Sequence, residues 1–395
     1  MMEREMEHRR FKFGKRIGGG NISKEDSILN IIDTHFQAYN SARIREICQL
    51  YANEICSKDV VIGMSVTGAM TPGGLGESCL VPMIKRNYVD WIVTTGANVY
   101  HDIHFAMGLP LHRGTPFVDD SELLDQDIVR IYDVFMGFEV LAKTDLFLMD
   151  LFQEEWFNRR MGTAELHYKL GEVISERLKD DPRLSERSFV IAAYESGVPI
   201  YVPSPGDSSL GLNIAALNLM GRSIMIDSSI DVNEISAIVY EAKTGYGKSA
   251  TIIWGGGSPK NFLLQTEPQL QEILGFQITG HDYFVQVTDA RPDTGGLSGA
   301  TPSEAVSWNK VNPEMLPNAI VCYADITIVM PLVVSYLVQQ NVMREPKNLY
   351  SARSDMMEKM KNDFLYGTGT ASTKPGVNET VRMLKKLHQT YNKQR

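Results

Sequence analysis

Ala250-Thr251-Ile252-Ile253-Trp254-Gly255-Gly256-Gly257-Ser258-Pro259-Lys260-Asn261 reads as a strand, a glycine turn and the start of a helix. The apolar run is short and contains β-branched Thr251, Ile252 and Ile253, which suits a buried strand. Three successive glycines let the backbone approach a ligand closely, and the helix N-terminus behind them favours an anion. This is the most convincing cofactor turn in the chain. The preceding Lys243-Thr244-Gly245-Tyr246-Gly247-Lys248-Ser249 ends in Gly-Lys-Ser but is no nucleotide P-loop. Ala242 stands where the first glycine belongs, and the segment precedes a strand rather than following one.

The same grammar extends in both directions. Residues 60–66 read as a strand that ends in Thr67-Gly68-Ala69-Met70-Thr71-Pro72-Gly73-Gly74, with a helix to about Arg86. Residues 90–93 form a strand, 94–98 its turn, and a helix begins near Val99. Further strands are expected at 199–203, 223–226, 283–287 and 320–325, the first followed by the loop 204–211 that carries Asp207. Strands alternating with helices imply a single large α/β domain with a doubly wound, mostly parallel, Rossmann-like sheet. Ligands of such sheets bind outside the carboxyl ends of the strands, where these turns lie. No strict G-x-G-x-x-G occurs.

Helices fill the rest. One is expected from a cap at Asn21 or Ser23 to about Ile55, and two more at 140–160 and 164–179, with a polar loop at 116–127. Leu146, Phe147, Met149, Leu151 and Phe152 make the second helix richly apolar, suited to burial between layers or subunits. Residues 1–22 form a flexible basic arm, 23–345 the main α/β domain, and 346–395 a polar helical extension ending in a solvated basic tail.

With 395 residues, 43% hydrophobic and 22% charged, the composition is that of a soluble globular protein. A net charge of −9 gives no basic field for nucleic acid. No apolar run is long enough to span a bilayer and no signal-like segment opens the chain, so a cytoplasmic protein is expected. Cys48, Cys56, Cys79 and Cys322 form no zinc spacing and suit a reducing compartment. His101 and His104 share a helix face beside Asp102, but further ligands are not evident, so they read as a polar wall and no metal is expected.

The chemistry is placed in Ser298-Gly299-Ala300-Thr301-Pro302-Ser303-Glu304-Ala305-Val306-Ser307-Trp308-Asn309-Lys310. A lysine folded into an apolar, aromatic pocket loses hydration, which disfavours its charged form. The neutral amine is a nucleophile that can hold a Schiff base. This segment closely resembles the active-site segment of the deoxyhypusine synthase family, Ser-Gly-Ala-x-Pro-x-Glu-Ala-Val-Ser-Trp-Gly-Lys. Further blocks match in order from about Val60 to about Leu337.

The resemblance implies an NAD-dependent aminoalkyl transferase acting through an imine on Lys310, with Glu304 and Trp308 holding the amine. It places NAD on Thr67, Gly68, Thr95, Gly96, Ala97, Asp207, Gly256, Asp289, Ala290, Asp325 and Ile326. It places the substrate near His101, Asn261, Gly295 and Gly296 as well. It also implies a homotetramer, a polyamine-like small molecule as donor, and a protein lysine or small amine as acceptor. Several family positions are altered: an acid becomes His101, others become Leu212 and Leu297 unless Asp293 substitutes, the pocket histidine becomes Asn261, and a glycine becomes Asn309. Fewer acids imply an amine with fewer cationic ends or with a carboxylate of its own, which a protonated His101 would meet. The alternatives are a true deoxyhypusine or homospermidine synthase using spermidine, and a non-catalytic binder of NAD or a partner protein.

Overall fold

A computed structural model describes residues 16–367 and 372–393. Residues 1–15 of the expected basic arm lie outside them. Helices α1 (Ile28–His35) and α2 (Tyr39–Leu50) come first. They replace the single helix expected here, and the cap is Ser27, which accepts from the Asn30 amide, rather than Asn21 or Ser23. Both helices pack on one later helix, so their apolar spacing runs on across the break and hides it.

The main sheet comprises β1 (Val60–Val66), β2 (Trp91–Thr94), β3 (Ile200–Tyr201), β4 (Lys248–Trp254), β5 (Tyr283–Thr288) and β6 (Ala319–Tyr323). Its order is β6-β5-β4-β1-β2-β3, and every pairing is parallel. Every residue of β1 is buried, because helices cover both faces of a central parallel strand. Gly63 is required there: a methyl group on it would lie 2.5 Å from the Trp91 ring. The chain builds outward from β1 through β2 to β3, then returns to the other side through β4, β5 and β6. The order reverses between β1 and β4, which makes that seam the topological switch point.

Helix α3 (Gly96–Ala106) starts at Gly96 rather than near Val99, because Thr95 caps it by accepting from the Asn98 amide. The polar loop expected at 116–127 includes the helix Asp120–Asp125. Around it lies an antiparallel sheet of His112–Arg113, Val134–Gly137 and Ile128–Ile131. Helix α4 (Phe138–Leu151) buries Leu148 and Leu151 but leaves Leu146 exposed. The helices α5 (Thr163–Arg177), α6 (Ser209–Leu219) and α7 (Ser228–Glu241) follow. The strand expected at 223–226 is only Met225–Ile226, and it pairs with Arg160–Met161 outside the main sheet.

Helices α8 (Gly257–Leu264), α9 (Pro302–Ser307) and α10 (Ile326–Gln339) complete the layers against β4, β5 and β6. Arg344, just past α10, is buried and binds both Asp90 carboxylate oxygens, at 2.7 and 2.6 Å, and the Val60 carbonyl at 2.6 Å. The chain then forms α11 (Leu349–Tyr366) and α12 (Val377–Lys393). The first packs on α7 through buried Met356, Met360 and Phe364. The second buries Val377 and Val381 against the turn Gln269–Ile273, so this end is docked rather than a wholly solvated tail. No helix among the described residues is long and apolar enough to cross a membrane.

Candidate active site

At the switch point the Thr67 hydroxyl donates to the Gly256 carbonyl, and the Thr67 amide donates to the Trp254 carbonyl at 3.1 Å. Gly255 and Gly257 hold φ of +87° and +60°, a region that favours glycine. Gly256 caps α8 and lies so close to Ser298 that no side chain fits. On the other flank the Thr95 hydroxyl donates to the Gly68 carbonyl at 2.7 Å, and Gly96 backs directly onto Ser208. The turns after β1, β2 and β3 therefore form one continuous ledge that carries Thr67, Gly68, Thr95, Gly96, Ala97 and Asp207. Asp289-Ala290 after β5 and Asp325-Ile326 after β6 continue the same edge.

This edge fits a dinucleotide. Helices begin at Gly96, Gly257 and Ile326 along this edge, and their positive ends favour an anion. Asp207, Asp289 and Asp325 are exposed there, and carboxylates in such places accept from ribose hydroxyls. Asp325 also caps α10, accepting from the Thr327 amide at 2.7 Å.

Beside the seam lies a cavity of about 360 Å³ lined by residues that include Lys260, Asn261, Glu272, Glu304, Trp308 and Lys310. The local sequence shapes its mouth. Thr301 caps α9 and accepts from the Glu304 amide at 3.2 Å, with Pro302 at the first helical position. The helix ends at Trp308, and Asn309 turns the chain with φ of +52°. Asparagine tolerates that conformation, which accounts for its standing where the family has glycine. The Lys310 carbonyl accepts from the His281 amide at 3.0 Å. Gly280 permits that approach: a methyl group on it would lie 2.6 Å from the Asn309 carbonyl oxygen.

Two lysines line the cavity, and their surroundings differ. Lys260 is buried and donates to Gln286 Oε1 at 3.0 Å, the Ser298 carbonyl at 3.3 Å and the Ala300 carbonyl at 2.7 Å. Burial lowers its amine to about 8, with Glu304 pulling the other way. Three acceptors take up all three ammonium protons, so Lys260 is a tied cation that pins the 298–300 loop. Lys310 has one side-chain hydrogen-bond partner among the described residues, Asn261 Oδ1 at 3.4 Å. Its amine also lies 5.8 Å from the Trp308 ring centroid. Burial lowers its pKa, against the opposing pull of Glu272 and Glu304.

Lys310, Glu304, Trp308 and Asn261 thus share one cavity, with Trp308 55% exposed at its rim. Gly295 and Gly296 lie just outside it on an exposed loop. Asp293 is held by Arg291 at 2.5 Å and does not substitute for an acid inside. His101 is not among the lining residues; its Nδ1 faces His104 Nε2 at 3.1 Å. Burial drives its pKa down to about 4, which favours the neutral imidazole. No group of three metal-ligating side chains comes together among the described residues. Lys260, Glu272 and Gly280 escaped the sequence reading. Only the Lys260 position carried a signal, standing three residues after the glycine turn.

The deoxyhypusine synthase family model matches residues 28–337. The chain belongs to the deoxyhypusine synthase family. It is 51% identical over 364 residues to a deoxyhypusine synthase-like protein of Nostoc punctiforme, covering 92% of each chain. It is 35% identical over 313 residues to "Probable deoxyhypusine synthase 2" of Methanosarcina acetivorans, covering 79% of this chain and 86% of that one. Among solved structures, an Entamoeba histolytica chain assigned to deoxyhypusine synthase shares the fold, with a TM-score of 0.53 at 16% identity. That likeness covers 84% of this chain and 99% of the other. Deoxyhypusine synthases are NAD-dependent enzymes, and the Rossmann-like sheet with its glycine ledge is consistent with that cofactor.

Proposed function

We propose that the chain is an NAD-dependent aminoalkyl transferase in which Lys310 holds the transferred group as an imine. The observation that carries this reading is the contrast between the two cavity lysines. Lys260 has its protons committed to three acceptors, whereas Lys310 is half-buried with one long contact to Asn261. A poorly partnered, desolvated amine has its lone pair free for attack.

The dinucleotide would rest on Thr67, Gly68, Thr95, Gly96, Ala97, Asp207, Gly256, Asp289, Ala290, Asp325 and Ile326. Bound there, NAD supplies a hydride acceptor for a carbon that bears nitrogen. Lys310 Nζ then bonds to the carbon of the oxidised amine, and the nitrogen originally on that carbon leaves as a free amine with the proton Lys310 gives up. The transferred group passes on when an acceptor amine displaces Lys310 in the same way, and return of the same hydride to the product imine carbon would close it to an amine, so that no net oxidation remains. Glu304 steadies cationic nitrogen, and Trp308 covers the alkyl chain at the rim. Asn261 orients the Lys310 amine but cannot relay a proton, and the acids replaced at His101, Leu212 and Leu297 alter the amine specificity from that of relatives that keep them.

The donor is an amine or polyamine-like molecule, and the acceptor a small amine or a protein lysine. A homotetramer is proposed too. It is supported by exposed Phe138, Leu146, Leu212, Leu219 and Met220 on α4 and α6 and the residues that flank them. A cytoplasmic setting accords with the four buried free cysteines.

The test is to incubate protein, NAD and a panel of amines with borohydride, digest, and locate the adduct by mass spectrometry. An adduct on the Lys310 peptide is expected. Label confined to other peptides with every amine tried would sink the reading.

A further inference from the structure

The Lys310 cavity contains two carboxylates, Glu272 and Glu304, and both favour a positive charge on Lys310. Their situations differ. Glu304 has no ion-pair partner within salt-bridge distance among the described residues. Glu272 is met at 3.2 Å by Lys374, on the segment leading into α12. That segment lies beyond the residues 28–337 that the family model matches. Lys374 and Glu272 are 35% and 37% exposed, so the pair is hydrated and weak enough to exchange.

The wall that carries Glu272 is tied to the Lys310 segment. It sits in the π-helical turn Gln269–Ile273, a geometry often found at functional sites. Gln271 in that turn donates to Glu267 at 2.8 Å and to the Asn309 carbonyl at 3.0 Å. The residue before Glu272 is therefore bonded to the residue preceding Lys310. Residues 372–374 share a second groove with Gln271 and Asn309, so the C-terminal segment lies against the same turn.

We propose that Glu272 receives the second, non-reacting ammonium of the amine substrate, and that Lys374 occupies this carboxylate until the amine arrives. The C-terminal segment then supplies an internal stand-in for the substrate's charge. A dication gains an ion pair at its second, non-reacting ammonium and must displace Lys374 to make it. A monoamine has no such end and leaves the pair intact. The inference rests on the amine-binding half of the proposed function and adds which carboxylate sets the preference for charge.

The full-length chain with NAD is titrated calorimetrically with 1,4-diaminobutane and with 1-aminobutane, alongside borohydride trapping. The wild type is expected to prefer the diamine, and Glu272→Gln to lose that preference. Lys374→Ala is expected to tighten diamine binding roughly two- to fivefold, the range of a hydrated ion pair, without moving the monoamine. The swap Glu272→Lys with Lys374→Glu tests geometry: the pair re-forms, and the diamine preference falls because the cavity side now carries the cation.

The proposal is overturned if Glu272→Gln keeps the diamine preference, if Lys374→Ala weakens diamine binding, or if the wild type binds no diamine. Trapping separates the two ideas. A diamine preference that follows Glu272 with no Lys310 adduct removes the imine mechanism and leaves the anchor. A Lys310 adduct with a preference indifferent to Glu272 does the reverse.

Discussion

Lys310 Nζ and Asn261 Oδ1 stand 3.4 Å apart across the mouth of the cavity, a neutral amide facing a desolvated amine. Nothing at that distance neutralises an ammonium. Burial lowers the Lys310 pKa, so adduct formation should rise with pH and reach half its maximum below the 10.5 of free lysine. Asn261→Asp would place a negative charge there, favour the ammonium and move the half-point upward. For every tenfold gain in proton affinity, the neutral amine present near neutral pH falls about tenfold. A pH series of trapping yields for both proteins checks this, and an unmoved half-point would show that the two groups do not communicate.

Gly280 lies directly against the backbone of the Lys310 segment. Gly280→Ala should push the Asn309–Val311 backbone away, because the added methyl group meets three backbone atoms at 2.6–2.7 Å. Misplacing a reacting group by about 1 Å costs on the order of a hundredfold in rate. Trapping should slow by that order while NAD still raises the melting temperature, since the ledge is untouched.

The complementary change is Gly256→Ala at the seam. A methyl group there collides with Ser298 and unsettles the cap of α8. NAD-induced stabilisation in a thermal shift assay should largely disappear. Retention of the full shift would remove Gly256 from the dinucleotide ledge.

The buried Asp90–Arg344 pair ties the segment after α10 to β1 and β2. Asp90→Ala leaves a guanidinium stranded in the interior and should cost about 3–5 kcal/mol. Urea unfolding gives the value directly, and a loss under about 1 kcal/mol would mean that water reaches Arg344.

Stability should also depend on pH. Burial raises Asp102 and Asp231 to about 7 and Glu267 to about 8. Their folded values exceed their unfolded ones, so the fold favours the neutral acids. That contribution is complete below the ordinary carboxyl range and is lost as pH rises through about 7 to 8. The urea midpoint should therefore be lower at pH 9 than at pH 6.

The parallel sheet and its carboxyl-edge turns were legible because central strands are continuous apolar runs and their turns need glycine. Lys310, Glu304 and Trp308 were legible through the family segment they share. What stayed hidden depends on distant packing. The break between α1 and α2 is masked because both bury the same face. Gly280 looks like any loop glycine until β5 brings it under Asn309. Glu272 and Lys374 are 102 residues apart and meet only because α12 docks on the Gln269–Ile273 turn. The surroundings of His101 also stayed hidden: it packs against His104, whose Nδ1 in turn meets Thr144 of α4, and burial lowers the His101 pKa.

Trp91 and Trp254 are sealed in the interior, whereas Trp308 stands open at the cavity rim. The chain thus carries a solvent-facing indole at the mouth of its proposed reaction chamber. Occupancy should change the emission colour and intensity of that ring, and a reduced nicotinamide nearby would drain its excited state. Filling of the chamber can then be followed in real time by light alone, with no label attached.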